Sequence, residues 1–277
     1  MEIVEIIKES FIFPSKNLDK LAIYAVVSLV LGLLIVGGSF IAVIATKTSM
    51  SYLILTIICF ILAIVVALII SGYQLSILKS GIDHDENAPG FEWKKNLIEG
   101  IKLLVVNIVY FIIPAIIISI VALITNIPGQ IMDITQKAAL SPANATAVAN
   151  STGQLTTVSQ SAMASLFGSI AITGVIALIL IIIFAFIATM GESRLANTGS
   201  LSEALNIVES AKDITRIGIG KVIAVILLMI IVVAVIQAIL GYIYGQVPQL
   251  AIISIIVTPY LAFFTHRVTG LLYSDIA

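Results

Sequence analysis

Long uncharged, apolar runs dominate the chain, and short polar segments separate them. Between Lys20 and Lys47 lie 26 consecutive uncharged residues, and between Lys47 and Lys79 lie another 31. A helix needs about 20 apolar residues to cross the hydrocarbon core of a bilayer, so each run predicts one membrane-spanning helix. The first two spans are predicted at about 21–45 and 52–77.

Two further spans are predicted in the middle of the chain. The run before Asp133 is uncharged from Leu103 onward and predicts a third span at about 103–125. The stretch from 138 to 191 also lacks charge, but its first half is rich in Ala, Ser, Thr and Asn. Lipid does not satisfy so polar a backbone, so the fourth span is predicted only at about 166–190.

The last uncharged run, residues 222–266, is about twice as long as one span. It must therefore fold back, and the segment GYIYGQVPQ, with two glycines and a proline, predicts the turn. The two resulting spans lie at about 220–243 and 248–271. The chain is therefore predicted to be an all-α, polytopic membrane protein with six transmembrane helices in a single membrane domain, 1–277.

The distribution of lysine and arginine predicts the orientation, because loops on the cytoplasmic side retain positive charge. With the N-terminus inside, the cytoplasmic side carries Lys8, Lys16, Lys20, Lys79, Lys94, Lys95, Lys102, Arg194, Lys212, Arg216, Lys221 and Arg267. The opposite side carries only Lys47 and Lys137. Both termini and the polar segment 79–102 are thus predicted to be cytoplasmic, in the cell membrane.

Polar and apolar positions alternate with helical spacing before spans one, three and five. The three segments are MEIVEIIKESFIFP, FEWKKNLIEGIK and SLSEALNIVESAKDITR. Each predicts an amphipathic helix at the cytoplasmic interface, and the third begins with a capping box of Ser200 and Glu203. The arrangement favours three parallel two-span repeats, although any juxtamembrane helix can show the same pattern.

The predicted external segment, 126–165, has the composition of a flexible low-complexity loop. It contains two Asn-x-Ser/Thr tripeptides, at Asn144 and Asn150, on the side that the charge count places outside. They are candidate glycosylation sites, and the alternative is an unmodified polar loop.

Composition supports a lipid environment and limits the chemistry. The chain has 277 residues, of which 60% are hydrophobic and 10% are charged, where a soluble domain would have about 25% charged residues. A net charge of -1 indicates no general attraction for nucleic acid. A single cysteine, Cys59, excludes an internal disulfide. The expected partner is the bilayer; protein partners are undetermined, and a homo-oligomer stays open.

Few residues inside the predicted spans could carry chemistry. Catalysis in the membrane would require paired carboxylates or histidines at ligand spacing, and the spans contain neither. Polar or helix-breaking positions in or beside the spans are Asn107, Pro114, Gln237, Pro259, His266 and Arg267. The amides favour helix association over a pore, the prolines favour kinks, and the last pair favours side chains that reach to the interface.

The acidic segment DHDENAPGFEWK has alternate oxygen ligands but fails as a calcium loop. Ala88 replaces the glycine of the turn, and Lys94 replaces the bidentate glutamate at the twelfth position. We therefore expect a solvated loop, with no metal and no cofactor.

The segment GYQLSILKSGIDHDENAPGFEWKKNLIEGIKLLVVNIVYFIIP, residues 72–114, resembles an archaeal family of multi-span membrane proteins that is best populated in methanogens. The features that carry the resemblance are a Gly-Tyr span end, a short acidic loop and a proline followed by an aromatic-Glu-Trp helix. The resemblance implies an archaeal membrane protein of unknown function and supplies no catalytic residues.

These observations favour a non-enzymatic membrane-organising or assembly component. A transporter or channel for a small solute is the alternative, and an intramembrane enzyme is a third hypothesis. A polar cavity at mid-depth between spans would favour transport, whereas a packed apolar bundle would argue against it.

Overall fold

A computed structural model of the protein describes residues 1–45, 50–139 and 160–277. The described residues form helices and connecting segments without β-strands. The helices are α1 (Ile3–Lys16), α2 (Leu18–Ala45), α3 (Met50–Ile82), α4 (Trp93–Ile124), α5 (Ile127–Ala139), α6 (Gln160–Thr198), α7 (Leu201–Ala204), α8 (Ile207–Ile217), α9 (Ile219–Gln246) and α10 (Ser254–Tyr273). A 3₁₀ helix, Pro248–Ile253, precedes α10.

Six helical segments are long and apolar enough to cross a membrane, as the hydrophobic pattern predicts. They are Leu18–Ile44, Met50–Ile82, Trp93–Ile124, Ser161–Thr198, Ile219–Gln246 and Pro248–Tyr273. Several extend beyond the predicted spans, because a charged residue ends an apolar run without ending a helix. The polar segment predicted at 79–102 therefore contracts to a loop of residues 83–92, and the predicted second amphipathic segment forms the first turns of α4.

The last apolar run folds back, as predicted. Helix α9 ends at Gln246, and the reversal occurs at Val247 and the following 3₁₀ helix. Gly241 and Gly245, which were expected in the turn, lie inside α9. Pro248 explains the position of the break, because proline has no amide N–H to continue the helical hydrogen bonds.

The predicted external loop contains a helix that the composition did not indicate. Asn126, with a φ of 54°, ends α4 and begins α5 by accepting a hydrogen bond from the amide of Gln130. The candidate glycosylation sites Asn144 and Asn150 lie outside the described residues.

The chain divides into two compact units by its contacts. Unit 1 comprises Met1–Ile108 and Phe186–Ala277, and unit 2 comprises Val109–Ala185. Within unit 2, the side chain of Gln130 on α5 donates a 2.9 Å hydrogen bond to Ser169 on α6.

Helix α3 forms the centre of unit 1 and approaches its neighbours through glycines. A Cβ atom added to Gly72 would lie 1.8 Å from the carbonyl oxygen of Asn96 on α4. A Cβ atom on Gly270 of α10 would lie 2.2 Å from the carbonyl oxygen of Leu78. Only residues without a Cβ permit these backbone contacts, which are typical of membrane helix pairs. The approach at Gly38 of α2 is less close, since an added Cβ atom would lie 3.1 Å from the Cβ of Cys59, and a Cβ atom added to Gly37 would meet nothing within 4 Å.

Candidate functional site

The polar loop 83–92 joins α3 to α4, and three buried side chains hold its backbone. Asn17, at the junction of α1 and α2, is 5% exposed. Its Nδ2 donates to the carbonyl oxygens of Phe13 at 3.0 Å and Glu86 at 3.1 Å. Its Oδ1 accepts a 2.7 Å hydrogen bond from the amide of Ala88. One side chain therefore satisfies both a donor and an acceptor of the loop.

Tyr73 of α3 provides the second support. Its hydroxyl donates a 3.0 Å hydrogen bond to the carbonyl oxygen of Pro89, and its ring centroid lies 4.7 Å from that of Phe91. Tyr73 is fully buried, and its ring also contacts Phe263 of α10. The far end of the loop is thus joined to the aromatic core of unit 1.

Arg267 of α10 provides the third support. Its Nη1 donates to the carbonyl oxygens of Ser80 and Asp85, both at 2.7 Å, and its Nη2 forms a 2.6 Å ion pair with Glu9. The guanidinium carbon lies 4.4 Å from the centroid of the Phe13 ring. The expectation that Arg267 reaches out to the interface is wrong, because the residue is only 1% exposed. The guanidinium neutralises the carbonyl end of α3 instead.

The neighbouring His266 does not join this cluster through any hydrogen bond described in the structure. Its Nδ1 lies 2.7 Å from the carbonyl oxygen of Ala262, one turn earlier on α10. The imidazole ring of His266 therefore contacts the backbone of its own helix.

The backbone of the loop is therefore held by hydrogen bonds, while most of its side chains are exposed. The five consecutive residues from Asp83 to Asn87 are all exposed, while Ala88 is buried. His84 adopts a φ of 58°, which turns the chain directly after α3. Contacts from Asn17, Tyr73 and Arg267 therefore fix the backbone that carries these exposed side chains.

A polar cavity of about 160 Å³ lies on one side of the loop. The end of α3, the start of α4 and the end of α6 form its walls together with the loop. Its charged lining residues are Lys79, Asp83, Asp85, Lys95, Glu99 and Lys102. Contacts organise part of this lining: Lys79 pairs with Asp83 at 2.6 Å, and Ser76 donates to Glu99 at 3.1 Å. The cavity therefore offers ammonium groups, carboxylates and hydroxyls together.

A second cavity, of about 210 Å³, lies beside the Arg267 cluster. Its lining residues are Glu9, Phe13, Lys16, His84, Glu86 and Arg267. Lys16 and Glu86 approach to 3.7 Å across it.

A separate ionic cluster holds α8 against the rest of unit 1. Asp213 is 1% exposed and accepts hydrogen bonds from Arg194 of α6 at 2.9 Å, from Arg216 at 2.7 Å and from Tyr273 of α10 at 3.2 Å. The helical pattern places Asp213 on the polar face and Val208 on the apolar face. The structure buries Asp213 and leaves Val208 63% exposed, because two cations and a hydroxyl satisfy the carboxylate.

Ion pairs on the outer face of α8 shift two pKa values. Hydrogen bonds from Lys212 and then Arg216 lower the pKa of Glu209. The hydrogen bonds to Asp213 and Glu209 raise the pKa of Arg216. Both groups therefore remain charged over a wide pH range.

The two amides predicted inside spans have different surroundings. Asn107 on α4 donates to the carbonyl oxygen of Leu103 at 3.2 Å and also hydrogen-bonds to the carboxyl group of Glu192 on α6. Gln237 is exposed on α9. Glu192 is a polar partner that the sequence patterns did not single out, because it lies just beyond an uncharged run.

Neither proline in a span interrupts its helix. Pro114 is buried inside α4, and Pro259 is buried inside α10. Pro259 borders a cavity of about 240 Å³ between α2 and α10, which the hydroxyl residues Ser28, Ser254 and Thr258 also line.

The described residues contain no group of three or more His, Cys, Asp or Glu side chains placed to hold a metal ion. The exposed acidic loop and the two cavities present carboxylates and cationic groups that can form hydrogen bonds and ion pairs.

Comparison with known proteins identifies a family without an assigned activity. No curated protein and no solved structure matches the chain. A family model matches residues 54–245, well over half of the chain, including the loop 83–92 and its flanking helices. Archaeal origin and the number of spans are not part of the family's description and stay predictions. The chain belongs to the family described as "Protein of unknown function (DUF4013)".

Proposed function

We propose that this protein is a non-enzymatic component that organises or assembles structures at the cell membrane. The observation that carries the proposal is the loop 83–92, whose backbone is held by Asn17, Tyr73 and Arg267 while its charged side chains are exposed. A surface of this kind suits contact with another macromolecule.

The physical argument concerns the entropy of association. Ordering a mobile loop opposes binding, and a loop that is ordered beforehand avoids this cost. The buried supports come from three separate parts of the chain and leave the side chains of Asp85 and Asn87 exposed. The exposed carboxylates favour a partner with a cationic segment, either another protein or a second copy of this chain, and disfavour nucleic acid.

In this proposal the six helices cross the membrane with both termini and the loop 83–92 in the cytoplasm. Helix α1 and helix α8 then lie along the cytoplasmic interface, before α2 and α9 respectively. The exposed apolar residues Val4 and Val208 support this placement, since they would contact lipid rather than water. The parallel two-span repeat requires an equivalent amphipathic segment before the third span. The first turns of α4 occupy that position.

Cysteine labelling tests the orientation. In a Cys59→Ala background, single cysteines replace Asn87, Ser202 and Thr135, which are all exposed. A membrane-impermeant thiol reagent should label Asn87→Cys and Ser202→Cys from one side and Thr135→Cys from the other. Labelling of the first two from opposite sides would contradict the topology.

Site-directed cross-linking tests the assembly role. A photoreactive residue replaces Asn87 in the full-length protein within its native membrane, and a matched variant carries the same residue at Glu2, which directly precedes α1. We expect discrete adducts from position 87 that Glu86→Lys weakens, with masses that distinguish a second copy from another protein. Equal, heterogeneous adducts from both positions would contradict the proposal.

A transporter is the second candidate, and the cavity beside Pro259 favours it. Ser28 lies ten residues into α2, which corresponds to about 15 Å along the helix from Leu18. The hydroxyl-lined cavity is therefore at a depth that a solute site would require.

Flux measurements in proteoliposomes separate the two functions. Transport predicts uptake of a small polar solute that Thr258→Val reduces and Thr135→Val, outside the cavity, leaves unchanged. The assembly role predicts no uptake above that of protein-free liposomes.

A further inference from the structure

The first three turns of α4 present cations along a groove that adjoins the polar cavity. The groove has a volume of about 420 Å³ and is lined by Glu92, Lys94, Lys95, Ile98, Glu99 and Lys102. Lys95 and Lys102 also line the polar cavity beside the loop. The two spaces therefore share the same two ammonium groups.

The groove's ammonium groups retain donors for a ligand. Lys102 donates at 2.8 Å to the carbonyl oxygen of Gly199, which neutralises no charge. Lys95 lies 3.8 Å from Glu92 and is 50% exposed. Glu99, the second carboxylate of the groove, already accepts a hydrogen bond from Ser76. Three lysines against two glutamates leave this groove with a net positive charge.

An apolar surface continues from these lysines into the span. Ile98, which lines the groove, is 47% exposed, and Ile101, one turn further along the same side of α4, is 46% exposed. Trp93, at the start of the same helix, is 57% exposed and packs its ring edge against Phe91. Aromatic residues of this kind are typical of the membrane interface. A ligand that fits the whole surface has a charged head and apolar chains.

We propose that this groove binds the phosphate-bearing headgroup of an anionic phospholipid. Lys95 and Lys102 contact the phosphate, and the acyl or alkyl chains lie along Ile98 and Ile101. This inference rests on the bilayer placement in the proposed function but not on the assembly role. It assigns the charged start of α4 to recognition of lipid rather than to hydration alone.

The charge and the apolar wall together select a lipid over a free phosphate ion. A lysine near the membrane surface contributes about 1 kcal/mol toward an anionic lipid, which is about a fivefold change in affinity. A free ion uses only the cations and gains nothing from Ile98 or Ile101. The apolar contacts therefore distinguish the two sources of phosphate.

Native mass spectrometry of the full-length protein tests the site. The purified protein is equilibrated with phosphatidylglycerol or phosphatidylcholine, and the bound fraction is measured at each lipid concentration. We expect tighter binding of phosphatidylglycerol, with about a fivefold loss in Lys95→Gln. The expected loss is larger in the double variant Lys95→Gln/Lys102→Gln. The matched control is Lys8→Gln on α1, which removes the same charge from another exposed lysine and should leave the affinity unchanged.

Three results would overturn the inference. Equal losses in Lys8→Gln and Lys95→Gln would assign the effect to general surface charge. Displacement of the lipid by millimolar inorganic phosphate, with no effect of Ile98→Ser, would indicate a phosphate site without a lipid. Equal binding of both lipids would exclude headgroup recognition. Lys95 is half exposed and its ion pair in the described structure is with Glu92, so its single variant reports on binding even if the double variant folds poorly. Cross-linking at position 87 tests the assembly role independently.

Discussion

Arg267 and Glu9 form a 2.6 Å ion pair between α10 and α1, although 258 positions separate them in the sequence. Arg267 is buried, whereas the Glu9 side chain is 38% exposed. The pair therefore joins the first helix to the last. The other acceptors of the guanidinium are the carbonyl oxygens of Ser80 and Asp85 and, at 3.4 Å, the hydroxyl of Ser80.

Replacing Glu9 should weaken this junction. Glu9→Gln leaves the buried guanidinium of Arg267 without its carboxylate, and we expect a loss of about 1 to 2 kcal/mol in the free energy of unfolding, since Glu9 is partly exposed. Unfolding in mixed micelles measures the change. Glu5→Gln on the same helix is the matched control and should cost less than about 0.5 kcal/mol. Equal effects of both substitutions would exclude a specific ion pair.

Asn17→Ala should release the loop 83–92. The substitution leaves the buried amide of Ala88 and the carbonyl oxygen of Glu86 without their partner, at a cost of about 2 to 4 kcal/mol. Hydrogen exchange should be faster at the amide of Ala88. Asn87→Ala changes an exposed side chain in the same loop and should leave exchange at Ala88 unchanged. Unaltered exchange in Asn17→Ala would show that Tyr73 and Arg267 hold the loop without Asn17.

Gly72→Ala should separate α3 from α4. The added Cβ would lie 1.8 Å from the carbonyl oxygen of Asn96, so the backbones must move apart. We expect a loss of at least about 2 kcal/mol in the free energy of unfolding. Gly32→Ala in α2 is the control, because its Cβ meets nothing within 4 Å and alanine favours a helix by about 1 kcal/mol. Equal stability of the two variants would contradict the close approach.

Acid should weaken the contact between the chain ends. Burial raises the pKa of Asp275. Hydrogen bonds from Lys221 and the amino group of Met1 have the larger combined effect and lower it, so the net shift of the pKa is downward. A carboxyl group with a lowered pKa stabilises the fold above its unfolded pKa of about 3.9 and loses this contribution as the pH falls through its folded pKa.

The measurement compares unfolding free energies between pH 5 and pH 3. The wild-type protein should lose more stability over this range than Asp275→Asn, which has no carboxyl group to protonate. Asp85→Asn removes a carboxylate without an ion pair among the described residues and should retain the wild-type loss. Identical pH dependence of wild type and Asp275→Asn would contradict the prediction.

Sequence patterns predicted the number and order of the apolar helices well, and their ends poorly. The length of an uncharged run shows how many residues can lie in the hydrocarbon core of a bilayer. This length depends only on residues that are neighbours in the sequence. The ends depend on caps and breaks, such as Asn126 and Pro248, and a helix continues past a lysine into water. Helix α5 was not predicted, because its composition resembles that of a polar loop.

For the candidate site, the sequence indicated which segment is polar but not which residues hold it. Residues 83–92 stood out by composition, but Asn17, Tyr73 and Arg267 could not be assigned as their supports from a helical pattern. Periodicity placed Asp213 on the polar face of α8, but it does not show that this face packs against other helices or that Arg194 lies beside the carboxylate.

By itself the sequence determined that the described part of the chain contains six helices long and apolar enough to cross a membrane. This conclusion follows from free energies of transfer, which sum along neighbouring residues. Only the tertiary structure decided which glycines permit close approach, which charges are buried and what holds the loop. These properties depend on distances between residues far apart in the chain, and the folded backbone sets those distances.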